Sequence, residues 1–310
     1  MALHPFPTDA KLTAIALAYK NPDVALIADE VLPRTRTEQK FKWREYDLAE
    51  GFTVPNTLVG RKSVPTEVEF TGAERGDYVL DYGLDDVIPN EDIEAGSRQG
   101  WDCEAQAVSQ LANLVNLGRE SRVAALVFNA ASYNPRAVTT LSGESQWSHD
   151  NSNPIVAIGD ALDAPVMRPN IAILGQSTWT KLRRNPRLVR AIRGTAQDAG
   201  QISREEFVQF FELQALYVGA GYINQARRGQ DPSLARVWGN HAAFLYRDRT
   251  AGAQSGLTFG FTAQWGEKIA GRMDEPKVGL TGCVRVRVGE RVKEIVCAKD
   301  LGVFFQNAVA

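Results

Sequence analysis

The sequence predicts an α+β chain, and three of its stretches carry the prediction. From Arg34 to Tyr82, Phe41-Lys42-Trp43-Arg44 and Val68-Glu69-Phe70 alternate in the β manner between punctuating glycines and prolines. Further on, Ala107, Val108, Leu111, Leu114, Val115 and Gly118 recur at steps of three and four residues, the period of one long amphipathic helix. Near the end, Val284, Val286 and Val288 alternate with Arg285 and Arg287, a second β period.

The bulk composition sets limits on function. With 310 residues, 44% hydrophobic and 23% charged, the chain has ordinary globular composition and length for about two lobes. A formal net charge of −2 argues against a dedicated nucleic-acid binder, which would carry a basic excess. Cys103, Cys283 and Cys297 are too few and too scattered for a disulfide framework, so folding in a reducing cytoplasm is expected. No apolar run approaches the ~18 residues that span a bilayer, so no membrane partner is expected. Leu12 to Tyr19 lacks the flanks of an export signal and places Leu12, Ile15, Ala16 and Tyr19 on one helical face.

Along the chain, residues 1–33 read as two short helices. The second has Asn21 as cap, Pro22 at its first position, a stripe of Val24, Ile27, Ala28, Val31 and Leu32, and Pro33 at its end. Both are too short to stand alone and must dock. The stretch from Arg34 to Tyr82 has few aliphatic residues and cannot build a core of its own. It is expected to form a long two-stranded ribbon, and an isolated hairpin is marginal in water, so its edges and aromatic residues need a cover, part of which a second copy of the chain can supply. The long helix is expected to run on toward Phe128, and 129–153 to be loop. Pro154 opens a short helix to Leu162, Asn170 to Leu174 is a buried strand, and Thr178 to Ile192 is a helix broken near Pro186. Ser203 with Glu206 makes a capping box. Strands are expected at Ala215 to Val218, Val237 to Trp238, Ala243 to Tyr246 and Leu257 to Phe261. In the last ribbon, Gly289-Glu290 is expected to turn and Val292 to Cys297 to return.

Catalytic patterns are weak. Gly175-Gln176-Ser177-Thr178-Trp179 sits where a hydrolase nucleophile elbow would sit, with Asp198 or Asp231 and then His241 in the right chain order. Bulky Trp179 occupies the place that needs a small residue, so the favoured reading is a capping Ser177 and a core Trp179. Val218-Gly219-Ala220-Gly221-Tyr222-Ile223-Asn224 has Asn224 where a dinucleotide loop has its third glycine, and reads as a plain turn. Ser148-His149-Asp150 lies in a polar loop, where neighbours in sequence rarely converge as a triad. His4, His149 and His241 are far apart and no cysteine pair has ligand spacing, so no metal, cofactor or catalytic residue is expected.

Two charge runs stand out. Asp81, Asp85, Asp86, Glu91, Asp92 and Glu94 form an acidic stretch without a base. Lys181, Arg183, Arg184, Arg187, Arg190 and Arg193 form a basic one without an acid. The basic run is by default a solvated helix face over buried Leu182, Leu188, Val189 and Ile192. The sharper alternatives are contact with a nucleic-acid backbone and pairing with the acidic stretch of a neighbouring copy, since complementary patches steer copies into register.

The order of parts resembles the Hong Kong ninety-seven-type capsid fold of tailed double-stranded DNA phages. Particular strings resemble a subgroup of phage major capsid proteins: Phe52-Thr53-Val54-Pro55-Asn56-Thr57 with Val59-Gly60-Arg61-Lys62, Tyr82-Gly83-Leu84-Asp85-Asp86, and Arg122 through Asn129. The similarity continues in Leu141-Ser142-Gly143 with Gln146-Trp147-Ser148, Arg168-Pro169-Asn170, Ala235-Arg236-Val237-Trp238-Gly239, Phe259-Gly260-Phe261-Thr262 and Asp300-Leu301-Gly302 before Phe304-Phe305.

The resemblance implies an N-arm at 1–33, an E-loop at 34–82, a P-domain with the spine helix at 83–168, an A-domain at 169–278 and returning P-domain strands at 279–310. It implies self-assembly into pentamers and hexamers of an icosahedral head enclosing double-stranded DNA, with the ribbon lying over an adjacent copy. Phe41, Trp43, Tyr46, Phe52, Arg61 and Lys62 are the candidate ribbon contacts, each with packing on the chain's own body as its other reading. The short front segment implies that scaffolding, if used, is a separate protein; a portal is a further expected partner, and the need for cement proteins stays open. Lys40, Lys42 and Lys62 have no nameable partner, so assembly is expected to be non-covalent. Assembly is expected in the host cytoplasm and residence in the virion. The alternatives are an encapsulin-like nanocompartment shell and a hydrolase using Ser177.

Overall fold

The computed structural model describes residue 22 and residues 25–45, 51–69, 73–194, 200–227, 229–250 and 256–310. The expected first helix and Asn21, Val24, Tyr46, Phe70 and Asp198 lie outside them. From the front, the described chain runs through one helical turn, α1 (Ala28–Val31), then β1 (Arg34–Arg36), the ribbon strands β2 (Lys40–Glu45) and β3 (Ala73–Tyr78), and β4 (Leu80–Pro89). Two helices follow, α2 (Asn90–Arg98) and α3 (Cys103–Val127). The mixed part holds β5 (Val138–Thr140), α4 (Pro154–Asp163), β6 (Ile171–Gly175), α5 (Gln176–Leu182), α6 (Pro186–Arg193), α7 (Arg204–Phe210), β7 (Ala215–Gly219), β8 (Tyr222–Asn224), β9 (Leu234–Arg236) and β10 (Ala242–Leu245). The chain closes with β11 (Gly260–Gln264), β12 (Ile269–Glu275), β13 (Cys283–Val296) and β14 (Gly302–Gln306).

Local chemistry accounts for the helix starts. The Asp102 carboxylate accepts from the Ala105 N–H at 2.9 Å, capping α3, which then runs 25 residues. Asn185 caps α6 with Pro186 at its first position. Ser203 and Glu206 exchange hydrogen bonds of 3.1 and 2.6 Å at the start of α7, the capping box that the sequence predicts.

Two sheets organise the packing. The first has the order β1-β11-β13-β12, with β4 also paired to β13. Helix α3 lies on it, with Ala107 and Leu111 against Ile88, Val284, Val286 and Val288. The second has the order β5-β14-β10-β6-β7. Its central strands are buried on both faces, so β6 is apolar throughout. Ala172 and Leu174 join one core while Ile171 and Ile173 join the other, as a two-residue period requires.

Several expectations are corrected. Gly289-Glu290 is not a turn, because β13 runs unbroken through it for 14 residues. Glu290 is almost wholly buried and its carboxylate pairs with Arg34 at 2.7 Å, so a polar residue that mimics a turn is an internal partner. Among the described residues of the front stripe, the α-helical ones are Ala28–Val31, and Pro33 with the start of β1 closes that turn. No strand includes Val68; β3 begins at Ala73 instead, where cross-strand partners exist. Leu114 is half-exposed rather than core, and the buried stripe of α3 runs on through Arg119 and Glu120. The strand placed at Val237–Trp238 ends at Arg236, and Trp238 is a buried core residue beyond it.

Candidate assembly site

The ribbon is built from its root outward. Strands β2 and β3 pair from Lys40 opposite Tyr78 to Glu45 opposite Ala73. Exposed ion pairs, Lys42–Glu74 at 2.6 Å and Arg75–Glu45 at 2.9 Å, add a few tenths of a kcal/mol to the pairing. Phe41 is buried with Val79, Phe261, Ala263 and Ile295, and Trp43 stacks on it at 5.9 Å. For these two aromatics the cover is the chain's own first sheet. Beyond the root the picture reverses: every residue of 51–69 is exposed, including Phe52, Arg61 and Lys62. Val54, Leu58 and Val64 are each at least 85% exposed. Apolar groups left uncovered over a whole segment are uncommon on a folded chain's surface.

Beneath the ribbon root lies a polar junction. The Glu120 carboxylate, on the core face of α3, accepts the Ile27 and Ala28 N–H groups at 2.8 Å each and the Trp238 indole N–H at 2.6 Å. Burial pushes the Glu120 carboxyl above the usual range, and these three donors work against that rise. Its neighbour Arg119 bonds Asp29, the Leu32 carbonyl and the Thr262 hydroxyl. Burial lowers the Arg119 guanidinium from its ordinary value, aided by the charge of Arg34. Arg34 bridges Asp29 and Glu290, both at 2.7 Å. Burial tends to raise Asp29, but the two guanidiniums outweigh it and hold the carboxyl below the ordinary value. Glu30 meets Arg247, Arg249 and the Tyr217 hydroxyl. The residues leading into β1 are thereby tied to the long helix, to the first sheet and to the second lobe together. Sequence reading missed this junction. Its signal was a charged residue at position 119, four after Val115 and eight after Leu111 on the buried face.

Two of the six acids of the acidic stretch, Asp81 and Asp85, meet bases of their own chain. Asp85 receives Arg287 in a two-pronged contact at 2.7 Å and Arg285 at 3.2 Å, while Asp81 meets Arg291 at 3.5 Å. Hydrogen bonds from Arg287 lower the Asp85 carboxyl to about 2. Lys293 and Asp77 continue the ladder at 3.5 Å. These acids therefore answer the bases of β13 within the same chain. Asp86, Glu91, Asp92 and Glu94 are exposed, with Arg98 lying 3.9 Å from Glu94.

In the basic run, Lys181, Arg184, Arg187, Arg190 and Arg193 are exposed over buried Leu182, Leu188 and Val189, the arrangement of a solvated helix face. Arg193 pairs with Glu206 at 3.3 Å and Arg183 lies over the Trp179 ring.

The hydrolase pattern comes apart in the fold. Gly175, not Ser177, holds the cap position of α5, and the Ser177 hydroxyl donates to Asn240 Oδ1 at 2.7 Å. His241 Nδ1 accepts the Asn307 N–H at 3.0 Å, and its ring packs on Phe128 and Phe304. Trp179 is core, as expected. Among the described residues no cluster of three His, Cys, Asp or Glu side chains is placed to hold a metal, and no helix is long and apolar enough to cross a membrane.

No protein-family model matches the chain. It is 50% identical over 311 residues to the major capsid protein of Pseudomonas phage JBD67, with all of both chains covered. Its fold is similar to that of a phage-related protein from Bordetella bronchiseptica, with a TM-score of 0.71 at 18% identity and 96% of each chain covered. It is also similar to the capsid of cyanophage P-SCSP1u, with a TM-score of 0.61 at 12% identity, covering 99% of this chain and 91% of that one. An encapsulin from Synechococcus elongatus shares the fold at a TM-score of 0.53 and 10% identity, covering 97% and 96%. The solved structures speak for the fold, which is the mixed helix-and-sheet capsid fold that the order of parts predicts. Identity at half of all positions over the full length speaks for the family, and the chain belongs to the phage major capsid proteins.

Proposed function

We propose that the chain is the structural subunit of an icosahedral phage head and does no chemistry of its own. Copies join into pentamers and hexamers through the α/β lobe, and each ribbon lies over the next copy. The observation that carries this reading is the contrast along the ribbon: a root anchored by Phe41 and the ion-paired junction, and a tip, 51–69, whose apolar side chains find no cover among the described residues. Contacts that pair one surface with a different surface close into rings when the rotation between copies closes. A portal completes the particle, any scaffolding is a separate protein, and the shell encloses double-stranded DNA held without sequence preference. Assembly takes place in the host cytoplasm. Membership in the phage family favours the head over the cargo-holding compartment of encapsulins. Negative-stain microscopy of the purified protein tests the reading. Shells or ring-shaped capsomers are expected, and a clean monomer by light scattering at high concentration overturns it.

A further inference from the structure

The outward face of the first sheet has a gap in its side-chain cover. Gly83 stands opposite Gly289, and Gly289 stands opposite Ile269, so a row across three strands holds one side chain. The flanking rows are the charge pairs Asp85–Arg287 and Asp81–Arg291. Each lies two residues from Gly289 along β13, about 7 Å at the usual strand rise. The result is a recess of about 570 Å³ with a floor of bare backbone, Ile269 as a wall and charges at both ends. The gap is built in. A Cβ on Gly289 would lie 2.7 Å from the Tyr82 carbonyl oxygen, so the strands approach too closely for a side chain there. Opposed glycines in a strand interior weaken a sheet, and an apolar side chain laid across them from outside restores packing.

The distal end of the ribbon has the complementary chemistry. Leu58 and Val64 are exposed on either side of a turn closed by the Ser63 N–H donating to the Gly60 carbonyl at 2.9 Å. The turn itself presents Arg61 and Lys62, and the Asp81 side chain at the end of the recess is 79% exposed. Apolar side chains thus face bare backbone, and two bases face Asp81, whose mostly exposed carboxylate meets one base of its own chain, Arg291, at 3.5 Å. We propose that the Gly83–Gly289 recess is the receptor for residues 58–64 of a second copy, with Leu58 or Val64 over the glycines and Arg61 and Lys62 toward Asp81. This rests on the reading that the ribbon tip lies on a neighbouring copy, and names the surface it meets.

The test uses the full chain. Gly83→Val fills the recess, and its Cβ meets the Val288 carbonyl oxygen at 3.3 Å, a tight contact that the backbone must yield to slightly, and the Gly289 Cα at 3.7 Å. Leu58→Asp with Val64→Asp alters the tip. Each is expected to leave the dissociated subunit folded, as its thermal unfolding shows, and to slow assembly, followed by light scattering, at least about tenfold. The combined variant should be no slower than the worse of the two, as for partners in one contact. Assembly of Gly83→Val at the unaltered rate overturns the receptor. If the tip variant is then still impaired, the ribbon reading survives without it; if both assemble normally, both fall. Should Gly83→Val fail to fold, a photoreactive phenylalanine analogue at position 64 decides, in particles mixed from light and isotopically heavy chains. Cross-links to 81–85 or 287–291 of the other copy support the recess, and cross-links confined to other surfaces overturn it.

Discussion

Replacing Glu120 by alanine removes the one carboxylate that serves the Ile27 and Ala28 N–H groups and the Trp238 indole. A buried donor left without a partner costs ~1–3 kcal/mol, so three would cost about 3–9 kcal/mol if all stayed dry. Water re-entering beside α1 relieves part of this, and we expect a loss of about 3–5 kcal/mol. Glu120→Gln keeps a carbonyl oxygen for two of the donors and turns an amide NH2 toward the third, so its loss should be about 1–3 kcal/mol. Urea unfolding of dissociated subunits measures both. The pH dependence adds an independent sign. Burial raises the Glu120 carboxyl in the folded chain, so the folded state holds this proton where the unfolded state has released it. Its contribution is present below the ordinary glutamate range and is lost as pH rises through the folded value, and Glu120→Gln should flatten that limb. An alanine variant within about 1 kcal/mol of the parent, or a glutamine variant no better than alanine, would refute the junction as a structural tie.

Three further outcomes follow from the same geometry. Arg34→Ala leaves the buried Glu290 carboxylate without its guanidinium and should cost about 3–5 kcal/mol, whereas replacing both partners by apolar residues should cost less, as a double-mutant cycle in urea will show. Asp85, lowered to about 2 by Arg287 and then Arg285, contributes stability that is present above its ordinary value and lost as pH falls through about 2. Asp85→Asn should flatten the acid limb of the unfolding midpoint between about pH 4 and 2, and an unchanged limb removes the ladder from the account. Burial, with a lesser push from Glu45, raises the Cys297 thiol to about 12. At pH 8 its alkylation in folded subunits should be about a thousandfold slower than that of a free thiol, measured by mass spectrometry, and rapid labelling contradicts the packing at the ribbon root.

The parts that were legible in the sequence are those fixed by local period and local caps. The α3 stripe of Ala107, Leu111 and Val115, the Ser203–Glu206 box and the buried β6 each announce themselves within a few residues. What failed to show is what distant partners decide. Gly289-Glu290 has the composition of a turn, and it takes Tyr82 and Gly83 on one side, Ile269 on the other and Arg34 on the Glu290 carboxylate to make it a strand. The acidic stretch looked free for a neighbour because its arginines lie 200 residues later in the chain. Phe41 and Phe52 are the same residue type in one ribbon, and only the presence of Phe261 beneath the first separates a core residue from an exposed one.

This chain reverses the ordinary placement of charge and oil at two ends of one element. At the ribbon root, Arg119, Glu120 and Glu290 are buried where apolar residues would pack more cheaply; at the tip, Val54, Leu58 and Val64 stand in solvent. A buried ion pair stabilises little over an apolar substitute, but it accepts one arrangement only, since shifting either partner strands a charge. The root therefore fixes the direction in which the ribbon leaves the body. Under the proposed contact, fixing it before the tip is covered has an energetic consequence for association. The ordering entropy of the root is spent in folding the single chain, so a second copy that covers the tip opposes only the ordering of the tip itself. A tip free to point anywhere would have to be searched for and ordered at every contact, and a shell needs that contact made the same way at each repeated position.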